Sequence, residues 1–296
     1  TMFSKLIGSE FDLYATTYPD VVVLYHRDGI GSVCLSQWAA NAEALIPPIP
    51  ARECRYPVSF VGAAYGNRSV MVETLRREGV EVACFGHGWP AGPVEAKRIS
   101  EIVRSSQVSL NFSEGSRRGS LAGTDRQIKA RIFEVPGYGG CLLTERAPNL
   151  DRYFRIGEEI LTFEGCGDLA GAVKTLLANP DRRDMIAQGG FERVSREHTY
   201  DRRFDHLLTE VNRHVSPRPR RSVNWLEFEA AANRHSCGHG LRAVRAILVR
   251  CARLIWGERR GPRAARRMIF ELSWRLAGAR TYAAAGWPGR MFYKES

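Results

Sequence analysis

Short apolar runs alternate with helical periodicity through most of this chain. Val58–Val61, Val80–Phe85, Val108–Phe112, Cys141–Thr144 and Ile160–Phe163 read as strands. Between and after them, Ser69–Glu78, Val94–Arg104, Asp125–Val135, Asp168–Ala178, Arg182–Arg196 and Tyr200–His214 carry the spacing of helices. Short apolar strands alternating with helices predict a parallel sheet with right-handed crossovers, a Rossmann-like α/β layer structure. Ligands in such sheets bind outside the carboxyl ends of the strands.

Upstream, Asp12–Thr16 and Ser32–Gln37 read as strands around a helix over Pro19–Arg27. A link containing Pro47, Pro48 and Pro50 then runs toward Tyr56 and predicts a domain boundary. Downstream, Pro217-Arg218-Pro219-Arg220-Arg221 breaks the pattern, and two basic helical segments follow, Gly240–Trp256 and Pro262–Ala277. The expected divisions are residues 1–54, 55–215 and 216–296.

Charge sharpens the third division. The whole chain carries +11. Residues 214–296 hold sixteen arginines and one lysine against five glutamates, a net +12, so the first 213 residues carry −1. A nearly neutral body with a basic tail fits a soluble enzyme with an anion-seeking appendage. At 100° per residue, Arg242, Arg245, Arg250 and Arg253 share one helix face and Leu241, Val244, Ile247, Leu248, Cys251, Leu254 and Ile255 the opposite one. Such a helix can lie on an anionic membrane surface with Trp256 at the interface, or pack on a partner domain with arginine in solvent. Nucleic acid is not expected, because no reading motif accompanies the charge.

The 296 residues, 44% hydrophobic, can core one or two domains. No run approaches the roughly 20 apolar residues of a membrane span, and the start lacks a signal-peptide layout. Seven scattered cysteines without a C-x-x-C point to a reducing cytoplasm. His235-Ser236-Cys237-Gly238-His239 lacks a second ligand cluster and reads as a turn before a helix.

Candidate chemistry gathers at the strand ends. After Val58–Val61 comes Gly62, then a helix starting near Ser69; a helix amino terminus offers free N–H groups to a phosphate, and Arg68 at that start adds a bidentate contact. The ordinary alternative is a strand-to-helix turn with a surface arginine. In Gly86-His87-Gly88-Trp89, Trp89 can stack on a base or sugar and His87 can bond a phosphate or hydroxyl; equally, Trp89 can be the lid of a tight turn. The loop over residues 115–129 feeds a helix with Thr124 or Asp125 as N-cap, and Arg126 and Lys129 bring positive charge for a diphosphate. Then comes Arg131-Ile132-Phe133-Glu134, followed by a break at Gly137, Gly139 and Gly140, where backbone can approach a ligand without Cβ atoms between.

The stretch from Lys129 to Glu145 resembles the donor-site segment of GT-B glycosyltransferases, and its wording is similar to the CgeB-type (spore maturation protein-like) family. His198-Thr199-Tyr200-Asp201-Arg202-Arg203 matches a recurring family segment and reads as a marker of the fold, with Thr199 an N-cap. The resemblance covers roughly residues 10–210. It implies a GT-B fold, transfer of a sugar (hexosyltransferase-like) from a nucleotide-diphosphate donor to a saccharide, lipid or protein acceptor, no cofactor and no metal. It implies ribose contact by Glu134. Retaining members carry a second Glu eight residues earlier; here that position is Arg126. The base, the sugar, the catalytic residue and retention or inversion stay open. A full N-terminal Rossmann domain needs about 100 residues or more, and only about 50 precede the link. The expectation is a truncated chain, cytoplasmic or peripheral at the inner membrane face. Whether it transfers sugar or serves as a GT-like scaffold stays open.

Overall fold

A computed structural model describes residues 11–27, 29–64, 66–113, 126–214, 225–227, 229–230, 238–277 and 291. The described residues up to 214 form one compact unit, and those from 225 onward form another.

The first unit opens with β1 (Tyr14–Thr16), α1 (Pro19–Arg27) and β2 (Val33–Leu35), where β1 and β2 pair in parallel. The five-stranded sheet follows: β3 (Tyr56–Val61), β4 (Val82–Phe85), β5 (Ser106–Asn111), β6 (Leu142–Glu145) and β7 (Leu161–Phe163). Its order is β4-β3-β5-β6-β7, with every pairing parallel. This is the expected α/β architecture. The helices are α2 (Arg68–Arg77), α3 (Ala96–Arg104), α4 (Arg131–Gly137), α5 (Cys166–Leu177), α6 (Pro180–Glu197) and α7 (Tyr200–His214). Val58, Phe60, Val108, Leu110, Leu142 and Leu143 are all buried, because helices cover both sheet faces. Phe60, Phe112 and Phe163 form a chain of edge-to-face contacts across the sheet.

One predicted helix is shorter than its pattern. Residues 126–129 are not helical, and α4 starts only at Arg131. These residues bond along the sheet edge instead: Gln127 N donates to Ser113 O at 3.0 Å, and Lys129 reaches the end of β5. Tertiary bonds have displaced a local helical preference.

The proline-rich link is fastened to the amino edge of the sheet. Arg104 Nε donates to Pro47 O at 2.8 Å, and Ile46 N to Gly137 O at 3.0 Å. Arg183, with no exposed surface, donates to Ile49 O, Gln107 O and Ser106 O at 2.8, 2.8 and 2.9 Å. Asp184 accepts from Ala51 N at 3.0 Å.

The His-Thr-Tyr segment is structural, as its pattern implied. Thr199 Oγ1 accepts from Arg202 N at 3.4 Å at the start of α7. Ala40 pairs with both sides of Thr199: Ala40 N donates to His198 O, and Tyr200 N to Ala40 O, each at 2.9 Å. Buried His198 donates from Nε2 to Tyr153 O at 2.8 Å, while its Nδ1 accepts from Arg203 at 3.2 Å. A carbonyl can only accept and a guanidinium can only donate, so the ring is the neutral Nε2–H tautomer.

In the second unit, α8 runs from His239 to Ala277, with non-helical backbone at Gly257 (φ 77°, ψ 168°). The two predicted basic helices are its two arms. No helix among the described residues is long and apolar enough to cross a membrane.

Candidate functional site

The chain passes from β3 outward to β4, then returns past β3 to β5. Crossovers diverge there, between the carboxyl ends of β3 and β5, the position where open α/β sheets take ligands. Four basic side chains bond at the carboxyl edge. Arg68, the first residue of α2 and largely buried, donates to Ala63 O at 2.9 Å and lies over the Phe60 ring. Arg131 donates to Val61 O at 2.7 Å. Lys129 donates to Phe112 O at 3.0 Å. Arg126 donates to Glu164 O, just beyond β7, at 2.6 Å.

Two carboxylates belong to this edge. Glu134, in the first turn of α4, lies 3.1 Å from Arg131 Nε and is about one-third exposed. Glu145, the last residue of β6, is almost fully buried. It accepts from Ser113 N at 2.9 Å and lies 3.3 Å from Arg126 Nε, an ion pair without hydrogen-bond geometry. The side chain at position 126 is thus a cation paired to an acid reached from β6.

At the start of α2 the capping position is empty of its usual bond. Asn67 makes no side-chain cap, and its buried Oδ1 accepts no hydrogen bond. The first turn of α2 therefore starts without a side-chain cap.

The neighbouring turn is built for closeness. Ala64 N donates to His87 O at 2.8 Å. A Cβ on Gly86, whose φ is +131°, would stand 2.4 Å from Gly62 O. His87 is exposed at this turn, while Trp89 is 8% exposed. Trp89 Nε1 donates to Gly62 O at 2.8 Å, and its ring packs edge-on to Phe60. This corrects the stacking expectation: the indole is a lid on the core and locks Gly62.

Gly139 and Gly140 also stand apart from the carboxyl edge. They lie between α4 and β6, at the amino edge. A Cβ on Gly139 (φ +74°) would stand 2.7 Å from Ile46 O, and one on Gly140 2.5 Å from Val103 Cγ1. These glycines admit the link and α3, where the sequence argument expected a ligand. Thr124 and most of the basic loop lie outside the described residues, as do His235 and Cys237. Gly62, Arg68, Arg126, Lys129 and Glu134 are brought to the carboxyl edge. Arg131 and Glu145 were missed as site residues; the i, i+3 spacing of Arg131 and Glu134 was the available signal.

Residues 68–209 match a family model described as glycosyl transferase-like. Three solved structures share the fold. S. aureus TarM, as a variant in complex with fondaparinux, α-GlcNAc-glycerol and UDP, has a TM-score of 0.54 at 6% identity, over 71% of this chain and 46% of that one. Sucrose-phosphate synthase from Thermosynechococcus elongatus has 0.52 at 14%, over 72% and 60%. Anabaena HepE, in complex with UDP and glucose, has 0.56 at 9%, over 72% and 66%. This chain therefore spans between about half and two thirds of each. The likeness is one of fold, the GT-B glycosyltransferase fold. No curated protein matches the chain.

Proposed function

We propose that this chain binds a nucleotide-diphosphate sugar as donor for a glycosyltransferase of the CgeB-like type, with hexosyl transfer as the reaction. The observation that carries the reading is the set of Arg68, Arg126, Lys129 and Arg131 at one carboxyl edge, beside an uncapped helix start. Cations and helix N–H groups held in place lower the energy of a diphosphate leaving group as its charge develops. No metal is needed for that role in this reading. Glu134, held by Arg131, is the ribose ligand. UDP is the first nucleotide to try, because it is bound in the TarM and HepE structures. The acceptor is a saccharide, lipid or protein.

Calorimetric titration with UDP, GDP, CDP and dTDP tests this. One diphosphate is expected to bind, about tenfold more weakly in Glu134→Ala and in Lys129→Ala, the loss of roughly one charge-assisted bond. A folded chain that binds none of the four, or variants that bind as well as the parent, would overturn the assignment.

A second reading is a GT-like scaffold at the cytoplasmic membrane face. Arg126 favours it, because this cation stands where the resemblance implies a glutamate. So does the second unit, which is arginine-rich yet leaves large apolar side chains exposed.

A further inference from the structure

The second unit has more order than a tail of basic helix. Gly257 divides α8 into arms of about 18 and 20 residues. Leu248 and Val249 of the first arm and Phe270 of the second pack against a buried cluster of Ile269 and Met291. A Cβ on Gly261 would stand 2.6 Å from Arg253 Cα. The close approach of 253 and 261 across the bend, with Leu248, Val249 and Ile269 in one cluster, is that of an antiparallel hairpin. Ala252, Gly261 and Ala265 are buried, so small residues let the arms close.

That seam does not use up the apolar surface. Val244, Ile247, Leu254 and Ile255 on the first arm are 47, 62, 87 and 69% exposed, and Met268 and Leu272 on the second are 53 and 54% exposed. At 100° per residue, with the arms antiparallel, these six fall on one side of the seam. Arg242, Arg253, Arg259 and Arg266 fall on the other. The two arms hold ten arginines against two glutamates.

We infer that this hairpin is an amphipathic plate that seats its apolar side in the interfacial layer of an anionic phospholipid bilayer. A two-sided helix surface, apolar opposite arginine, lies in the interface plane and gains from acidic headgroups. Arginine stems reach around the plate to headgroup phosphate, which they grip in bidentate fashion. An anionic surface is the partner that satisfies both sides. Nucleic acid has no use for six exposed aliphatic side chains, and a protein groove for the apolar side would leave the net charge of +8 unmatched. The inference takes up the membrane partner of the second reading and is independent of the donor site.

The test is co-sedimentation of the full chain with vesicles of phosphatidylcholine alone and of equal parts phosphatidylcholine and phosphatidylglycerol. Binding is expected to the anionic vesicles only, and to weaken as salt is raised. Ile247→Glu with Leu254→Glu should abolish it; both side chains are exposed, so folding is preserved, as circular dichroism would verify. A second variant, Arg250→Gln, Arg263→Gln and Arg267→Gln, should lower affinity about a hundredfold, at about fivefold per arginine near the surface. UDP titration of the same variants should be unchanged, which separates this result from the fate of the donor reading. The inference is overturned if anionic vesicles do not sediment the chain, or if the double glutamate variant binds them undiminished. It is equally overturned if single-stranded RNA is bound in their place, or if the apolar side proves to join two copies of the chain in a dimer that the glutamate variant dissociates.

Discussion

Replacing Arg183 with Met should destabilise the first unit by about 3–5 kcal/mol. The guanidinium makes hydrogen bonds of 2.8–2.9 Å to three backbone carbonyls, those of Ile49, Ser106 and Gln107. Each is worth about 1 kcal/mol net, and a carbonyl left buried and unpaired costs about 1–3 kcal/mol. Methionine keeps most of the stem volume, so the cavity contribution is small. Relief from holding a buried charge works against the loss. It is limited here, because Asp184 lies 2.9 Å from Nη1 and offsets part of that charge. Asp184 is 38% exposed and can turn to water, so its carboxylate is not stranded. The net is therefore dominated by the carbonyls. A domain holds only about 5–15 kcal/mol in all, and at 2–4 °C per kcal/mol the melting point should fall by roughly 10 °C. Urea denaturation followed by circular dichroism measures the loss. Arg183→Lys should recover part of it, since an ammonium reaches one or two of the three oxygens but has no planar fork. The link over 46–51 should lose hydrogen-exchange protection in the Met variant before the sheet does. A loss below about 1 kcal/mol would refute the claim that this arginine fastens the link.

Other consequences are as direct. Burial lowers the His198 pKa, and the Arg203 guanidinium acts in the same sense. Stability should therefore be full above about pH 6.5 and fall, by up to about 1.4 kcal/mol per pH unit, as pH drops through the lowered folded value. His198→Gln should flatten that part of a pH–stability curve. Burial would raise the Glu159 pKa, but hydrogen bonds from Arg193 and Arg155 outweigh it and hold the carboxyl low. Its contribution is present above about pH 4.3 and lost below, and Glu159→Gln should cost about 2–3 kcal/mol in denaturant titration at neutral pH. Gly86→Ala, with a 2.4 Å clash against Gly62 O and a left-handed φ, should cost about 2 kcal/mol or more and, on the proposed reading, weaken nucleotide binding by shifting the Gly62 turn. Burial pushes the Cys84 thiol up to about 11 and Cys141 up to about 12, so iodoacetamide should leave both unmodified in the native chain.

The parallel sheet was legible because short, largely apolar strands alternate with helical stretches along the chain. Boundaries followed too where the competing signal was weak: α1 and α7 begin and end where their periodicity does. The pattern failed at residues 126–129, which have helical spacing but are drawn off by bonds to β5 and to the segment after β7. Arg183 was invisible for a related reason. It sits among Arg182, Arg183 and Asp184 at the start of a helix, which reads as a solvated face, and only the packing of α6 on the link turns one of those three inward.

At the site, composition was a better guide than glycine. Basic residues just after the strands were expected at the carboxyl edge, and Arg68, Arg126 and Lys129 are there. Glycines were expected to mark the approach of a ligand, yet a glycine records only that something stands where a Cβ would be. At Gly139 the neighbour is the link at Ile46–Pro48, and at Gly86 it is Gly62 O. Telling a ligand from a neighbouring strand or link requires knowing which sheet edge the glycine occupies. Topology settles this: a glycine before a strand lies at the amino edge, and one after it lies at the edge that binds. The same rule brings in Glu145, at the carboxyl end of β6, and with it the partner of Arg126. The cation at 126 is paired to this buried acid, so the two side chains hold each other at the edge. On the proposed reading, Arg126→Glu would remove one of the four edge cations and set a carboxylate beside buried Glu145, so it should weaken both nucleotide binding and stability, as titration with UDP and urea denaturation would measure.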